Sequence, residues 1–184
     1  MTSTQTLATP DLAALGTPIS DERQDLLETL AKHRFFLRLT AQGLTDEQAS
    51  TRSTVSELTV GGIVKHVTQA ERNWAAFIVN GPAPATRDDG DRAVEDWLAG
   101  FHLQQGDTLE QVLAAYDEAA RRTDELVRTV DLDASQPLPV APWFEPGKHW
   151  TARRVLLHLV AETAQHAGHA DILRETIDGQ KSMG

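Results

Sequence analysis

Cysteine is absent from the 184 residues. That excludes disulfides, thiolate metal ligands and a cysteine nucleophile. Any metal must be held by imidazole, carboxylate or water, and any thiol chemistry needs a thiol that arrives as substrate. Long apolar runs are missing too. No stretch approaches the ~18 residues of a membrane-crossing helix, so no membrane partner is expected. The opening stretch MTSTQTLATPDLAALGTPIS has neither a basic n-region nor a continuous apolar core, unlike a signal peptide, and a cytoplasmic location is expected. Basic blocks are lacking, and the net charge is −10. Such a surface repels phosphate backbones, so nucleic acid is not an expected partner.

What remains is an ordinary globular composition, 40% apolar and 24% charged, of a length that fits one domain. Residues 1–20, polar with two prolines, read as a flexible N-terminal arm, and residues 21–184 as one helical domain. A first helix begins at Asp21, with Leu26, Leu30, His33, Leu37 and Thr40 at spacings of three and four on its inward face, and ends near Gly43. His33 reads as a structural histidine there. Thr45 to Gln48 suggests a short helical turn. A second long helix runs from a Thr59 cap to Val79, with Ile63, His66, Val67, Ala70, Trp74 and Phe77 inward.

After a Gly-, Pro- and Asp-rich loop, a shorter helix is expected over 92–103, with Trp97 facing in. Asp107 and Glu110 suggest a capping box for a third long helix. Leu109, Val112, Leu113, Tyr116, Ala120, Thr123, Val127 and Val130 carry its buried face, and the charged run Asp117 to Glu125 faces solvent. Residues 131–150 hold four prolines and read as loop. Trp143, Phe144, His149 and Trp150 fall in that loop, as a lid or as a plug at the bundle end. Thr151 caps a fourth long helix that ends at Gly179. Four long amphipathic helices and no convincing strand predict an all-α fold, a four-helix bundle with an extra short helix and long loops.

The fourth long helix carries His158, Glu162, His166 and His169. At about 100° per residue these lie at about −40°, 0°, +40° and −20° around the helix, one narrow stripe. Side chains at i and i+4 can hold one metal ion, a relation that both His158–Glu162 and Glu162–His166 satisfy. One helix rarely completes a site. His66, on the apolar stripe of the second helix, is the natural third ligand, because a buried imidazole needs a partner. Three protein ligands leave an open position, as in catalytic zinc sites. Nitrogen and oxygen donors suit Zn²⁺, Ni²⁺, Mn²⁺ or Fe²⁺.

The segments TVGGIVKHVTQAERNW (59–74) and RRVLLHLVAETAQHAGHADILRE (153–175) resemble the DinB-like superfamily, and more narrowly its mycothiol-dependent branch of maleylpyruvate isomerases and mycothiol S-transferases. The first segment carries the second-helix histidine, His66. The second carries the pair of ligands four apart, here Glu162 and His166. The resemblance implies a divalent-metal centre of His66, Glu162 and His166, most expectedly with Zn²⁺. It also implies a transferase that activates a low-molecular-weight thiol such as mycothiol for attack on an electrophile. Within that reading His169 is a second-sphere donor or proton relay, and Asp171 and Arg174 either meet a polar cosubstrate or pair with each other on the surface. A metal-dependent hydrolase or isomerase is an alternative, as is a non-catalytic metal-binding bundle whose site His158 or His169 closes. A homodimer is expected, because the exposed faces of a small bundle often pair.

Overall fold

The computed structural model describes residues 19–83 and 100–182. The expected arm up to residue 18 and most of the expected 92–103 helix, with Trp97, lie outside the described residues. Positions 100–102 form turns and a bend, not helix. The described elements are α1 (Asp21–Ala41), α2 (Asp46–Ala49), α3 (Val60–Asn80), α4 (Leu109–Thr129), β1 (Ser135–Pro137), β2 (His149–Thr151) and α5 (Ala152–Asp178). The four long helices form a four-helix bundle.

The helix boundaries follow from local chemistry. Thr59 accepts the Gly62 N–H at 3.1 Å and opens α3. Thr151 accepts the Arg154 N–H at 3.1 Å and opens α5, which stops at Gly179 with φ 79°, a left-handed turn that glycine adopts at little cost. The cap of α4 differs from expectation. Thr108 and Gln111 make the reciprocal capping box, one residue beyond Asp107 and Glu110. Asp107 is occupied elsewhere. It accepts from Lys65 Nζ at 2.7 Å and from the Gln104 N–H at 2.9 Å, and Lys65 holds its carboxyl below the ordinary range. The 131–150 segment also departs from the expected loop. β1 and β2 pair antiparallel within it, with Gln136 opposite Trp150. Three-residue strands flanked by prolines carry too little alternation to show in sequence.

Side-chain contacts between helices fix their directions. Arg153 near the start of α5 pairs with Glu22 near the start of α1, and Arg174 near the end of α5 donates to the Thr40 and Gln42 carbonyls at the end of α1. These two helices are therefore parallel. Lys65 meets Asp107 and Arg72 meets the Ala115 carbonyl, so α3 and α4 are parallel as well. Arg23 reaches the Val130 carbonyl while Arg38 pairs with Asp117, which sets α1 against α4. The order is up, down, down, up. Two neighbouring parallel helices require a long return, and residues 81–108 supply it.

The core has two apolar clusters. One gathers Leu37, Val60, Ile63, Val64, Val67, Tyr116, Ala170 and Leu173. The other gathers Leu26, Leu30, Phe77, Val127, Val155, Leu156 and Leu159. Between these levels lies a polar layer. Arg34 is 4% exposed and Glu71 is 1% exposed, and they form an ion pair. Asp124 accepts from the same guanidinium at 2.7 Å. Thr123 and Thr163 are buried at this level as well. Two expectations change here. His33 is only partly buried, and its neighbour Arg34 takes the inward position. Asp124 is drawn out of the solvent-facing charge run to meet it.

Candidate metal centre

His66 lies on α3 beside the buried Ile63 and Val67, while Glu162 and His166 lie one turn apart on α5. The antiparallel packing of these two helices brings them together. His66 Nε2 is 3.1 Å from Glu162 Oε1, and His166 Nε2 is 3.2 Å from the same oxygen. The imidazole rings meet edge to face, with centroids 4.9 Å apart. One ligand atom from each residue falls within 4.8 Å of the others. All three side chains are partly buried, so the cluster is shielded yet reachable. Two neutral-nitrogen donors and one carboxylate are a donor set for a divalent transition metal, and their convergence fits one ion.

The contacts from His166, and then from His66, hold the Glu162 carboxyl well below the ordinary carboxylate range. A group whose folded pKa is depressed adds stability above its unfolded value, near 4.5, and loses it as pH falls toward the folded value. In metal-free protein, Glu162→Gln is therefore expected to lower thermal stability at neutral pH and to flatten its decline below pH ~4.5. Thermal midpoints of parent and variant across an acid series check this.

The other histidines of the stripe go elsewhere. His169 is edge-on to His166, with ring centroids 5.5 Å apart, and stands outside the trio. The Nδ1 atoms of His166 and His169 are both buried without a hydrogen-bond partner among the described residues. His158 turns into an aromatic cluster, edge-on to Trp74 and Trp150, whose rings stack at 5.0 Å. Burial there lowers its pKa.

Phe144 packs on Trp150, and Trp143, 77% exposed, packs against Phe144. His149 is exposed, with Nδ1 3.1 Å from the Gly147 carbonyl oxygen. Phe144 and Trp150 thus extend the aromatic cluster that holds Trp74 and His158.

Arg174 meets neither a cosubstrate surface nor Asp171. It is buried, pairs with Asp178, and donates to the last carbonyls of α1 at 2.9 and 2.7 Å. Asp171 instead accepts the Ser182 N–H at 2.7 Å. A guanidinium with five donors satisfies a helix end better than an exposed pair three residues apart would. Sequence reasoning also missed Phe101, whose ring lies flat on His66 with centroids 3.9 Å apart and planes at 16°.

The structure is thus a four-helix bundle with a histidine–carboxylate trio bridging two of its helices. A family model described as mycothiol-S-transferase matches residues 25–179, and the chain belongs to that family. Among solved structures, a conserved protein of Enterococcus faecalis superposes with a TM-score of 0.63 at 14% identity, over 85% of this chain and 97% of that one. YfiT of Bacillus subtilis, described as a probable metal-dependent hydrolase with an unusual four-helix bundle topology, superposes with a TM-score of 0.60 at 19% identity, over 90% and 91%. No curated protein gives a significant sequence match.

Proposed function

We propose that the chain is a metal-dependent thiol S-transferase. In this reading His66, Glu162 and His166 hold one divalent ion, with Zn²⁺ the expected metal, and a low-molecular-weight thiol such as mycothiol attacks an electrophile. The observation that carries the reading is the convergence of two imidazole nitrogens and one carboxylate oxygen within 4.8 Å, in a chain of the mycothiol S-transferase family. A free thiol near pKa ~8.5 is mostly protonated at neutral pH. A divalent cation bound beside it supplies positive charge that favours its deprotonation.

The chain's own residues have separate tasks. Glu162 contributes the one negative charge of the trio, so the loaded centre keeps net positive charge. His66 and His166 must be neutral at Nε2 to act as donors. His169, beside His166 but outside the trio, is the imidazole we assign to taking up the proton that leaves the thiol. The complete absence of cysteine means that the reacting sulfur comes from outside the chain.

The test is metal content and thiol consumption measured together. Purified protein should carry near one divalent ion per chain and consume mycothiol with a reactive alkyl halide in a metal-dependent way. His169→Ala should keep the metal while losing about 10²-fold in turnover. Thiol consumption unaffected by metal removal would overturn the transferase reading. The likeness to YfiT gives the hydrolase alternative its footing, and metal-dependent ester or amide turnover without added thiol would favour it.

A further inference from the structure

We propose that Phe101 is a positioning residue, whose ring sets the plane of the His66 imidazole so that Nε2 faces Glu162. Only the metal-affinity part of this inference rests on the proposed metal centre.

The contact begins with an odd choice of residues. The first turn of α3 reads Val60-Gly61-Gly62-Ile63, although each glycine costs about 1 kcal/mol against alanine within a helix. Space explains the pair. A Cβ on Gly61 would lie 2.7 Å from Leu103 Cδ1 and 3.1 Å from the Ala49 carbonyl oxygen. A Cβ on Gly62 would overlap the Phe101 carbonyl, whose carbon would stand at 2.6 Å. The bare turn of α3 is thus the seat on which the Phe101 carbonyl and the Leu103 side chain rest.

Lys65 ties the same segment down one turn later. Its Nζ donates to the His102 carbonyl at 3.1 Å and pairs with Asp107 at 2.7 Å. Backbone contact below and the ammonium tie beside it leave the Phe101 side chain over His66. The two rings are stacked at 3.9 Å and 16°.

The stack matters because the outer torsion of a histidine is broad. An imidazole held at Cβ alone can swing out of the plane in which it meets Glu162. The face-on phenyl ring fixes that plane and covers one face from water. The 3.1 Å contact with Glu162 then selects which nitrogen points inward. Residues that orient a metal-binding imidazole commonly change metal affinity 10–100-fold when removed.

Two variants separate orientation from packing. Phe101→Leu keeps apolar cover and loses the planar stack, whereas Phe101→Tyr keeps the ring. Zn²⁺ affinity is measured by competition with a chromogenic chelator, and NOEs between the His66 ring protons and the Glu162 side chain are followed by NMR in metal-free protein. Phe101→Leu should bind Zn²⁺ about 10- to 100-fold more weakly and lose the His66–Glu162 NOEs, and Phe101→Tyr should restore both. A lower thermal midpoint in Phe101→Leu with unchanged Zn²⁺ affinity and unchanged NOEs would assign Phe101 to packing alone and overturn the proposal. If the parent protein fails to bind Zn²⁺, the metal reading falls separately. The NOEs then decide: their loss in Phe101→Leu supports the orientation, and their retention overturns it.

Discussion

His166→Ala is expected to weaken Zn²⁺ binding by more than about 100-fold while leaving a folded helical protein, because the loss of a mere second-sphere partner already costs 10–100-fold. The variant removes one of two imidazole nitrogens and leaves His66 and Glu162, too few donors for a three-residue centre. The fold should survive because the helix anchors itself on neighbouring positions. Thr163, Ala167 and Ala170 are buried and remain unchanged. The contact from His166 is also the largest influence that depresses the Glu162 carboxyl, so that group should move back toward its ordinary value. Chelator competition and circular dichroism, read beside His158→Ala, check the prediction. His158 lies in the aromatic cluster, so its variant should keep the metal. Parental affinity in His166→Ala would remove this trio as the binding site.

The second large effect concerns stability. Arg34→Met should destabilise the protein by about 3–5 kcal/mol, the range found when one partner of a buried ion pair is deleted. Glu71 is 1% exposed, and its Oε2 has no hydrogen-bond partner among the described residues. Without Arg34 its charge would be stranded between two apolar clusters. The double variant Arg34→Met/Glu71→Leu should recover most of the loss, since well-packed apolar replacements of buried pairs are often neutral. Urea unfolding of the three proteins measures both effects. A loss below about 1 kcal/mol in the single variant, the size seen for exposed pairs, would mean that water reaches the layer.

Much of this was legible in the chain. The i, i+4 spacing of Glu162 and His166 places both on one stripe, and His66 sits among apolar residues at helical intervals, so the trio can be assembled on paper. Thr59, Thr151 and Gly179 mark helix ends through purely local hydrogen bonding, which short sequence windows capture. Arg34 was overlooked because charge suggests solvent, although its spacing from Leu30 and Leu37 follows the apolar period. Glu71, four residues after Val67, hides for the same reason. Phe101 was out of reach for a different cause. Its contact with His66 spans 35 positions and depends on space left by two missing side chains. The parallel course of α3 and α4 belongs to the same class, because a long connection does not state the direction in which it returns.

The buried polar layer also acts on translation along the bundle axis. A seam lined only by interchangeable aliphatic side chains would allow one helix to slide by a turn, about 5.4 Å, at modest cost, since leucine and valine find similar pockets on the next level. With Arg34, Glu71 and Asp124 locked together, such a slide drags a guanidinium or a carboxylate into hydrocarbon. The charges therefore work as an index mark that fixes the relative height of α1, α3 and α4. Glu71 and His66 share α3, so the mark sets the height of His66, while Arg174, tied to the last carbonyls of α1, sets that of Glu162 on α5. Tolerance for error in that alignment is small, and a charged pair with no place in catalysis holds the bundle within it.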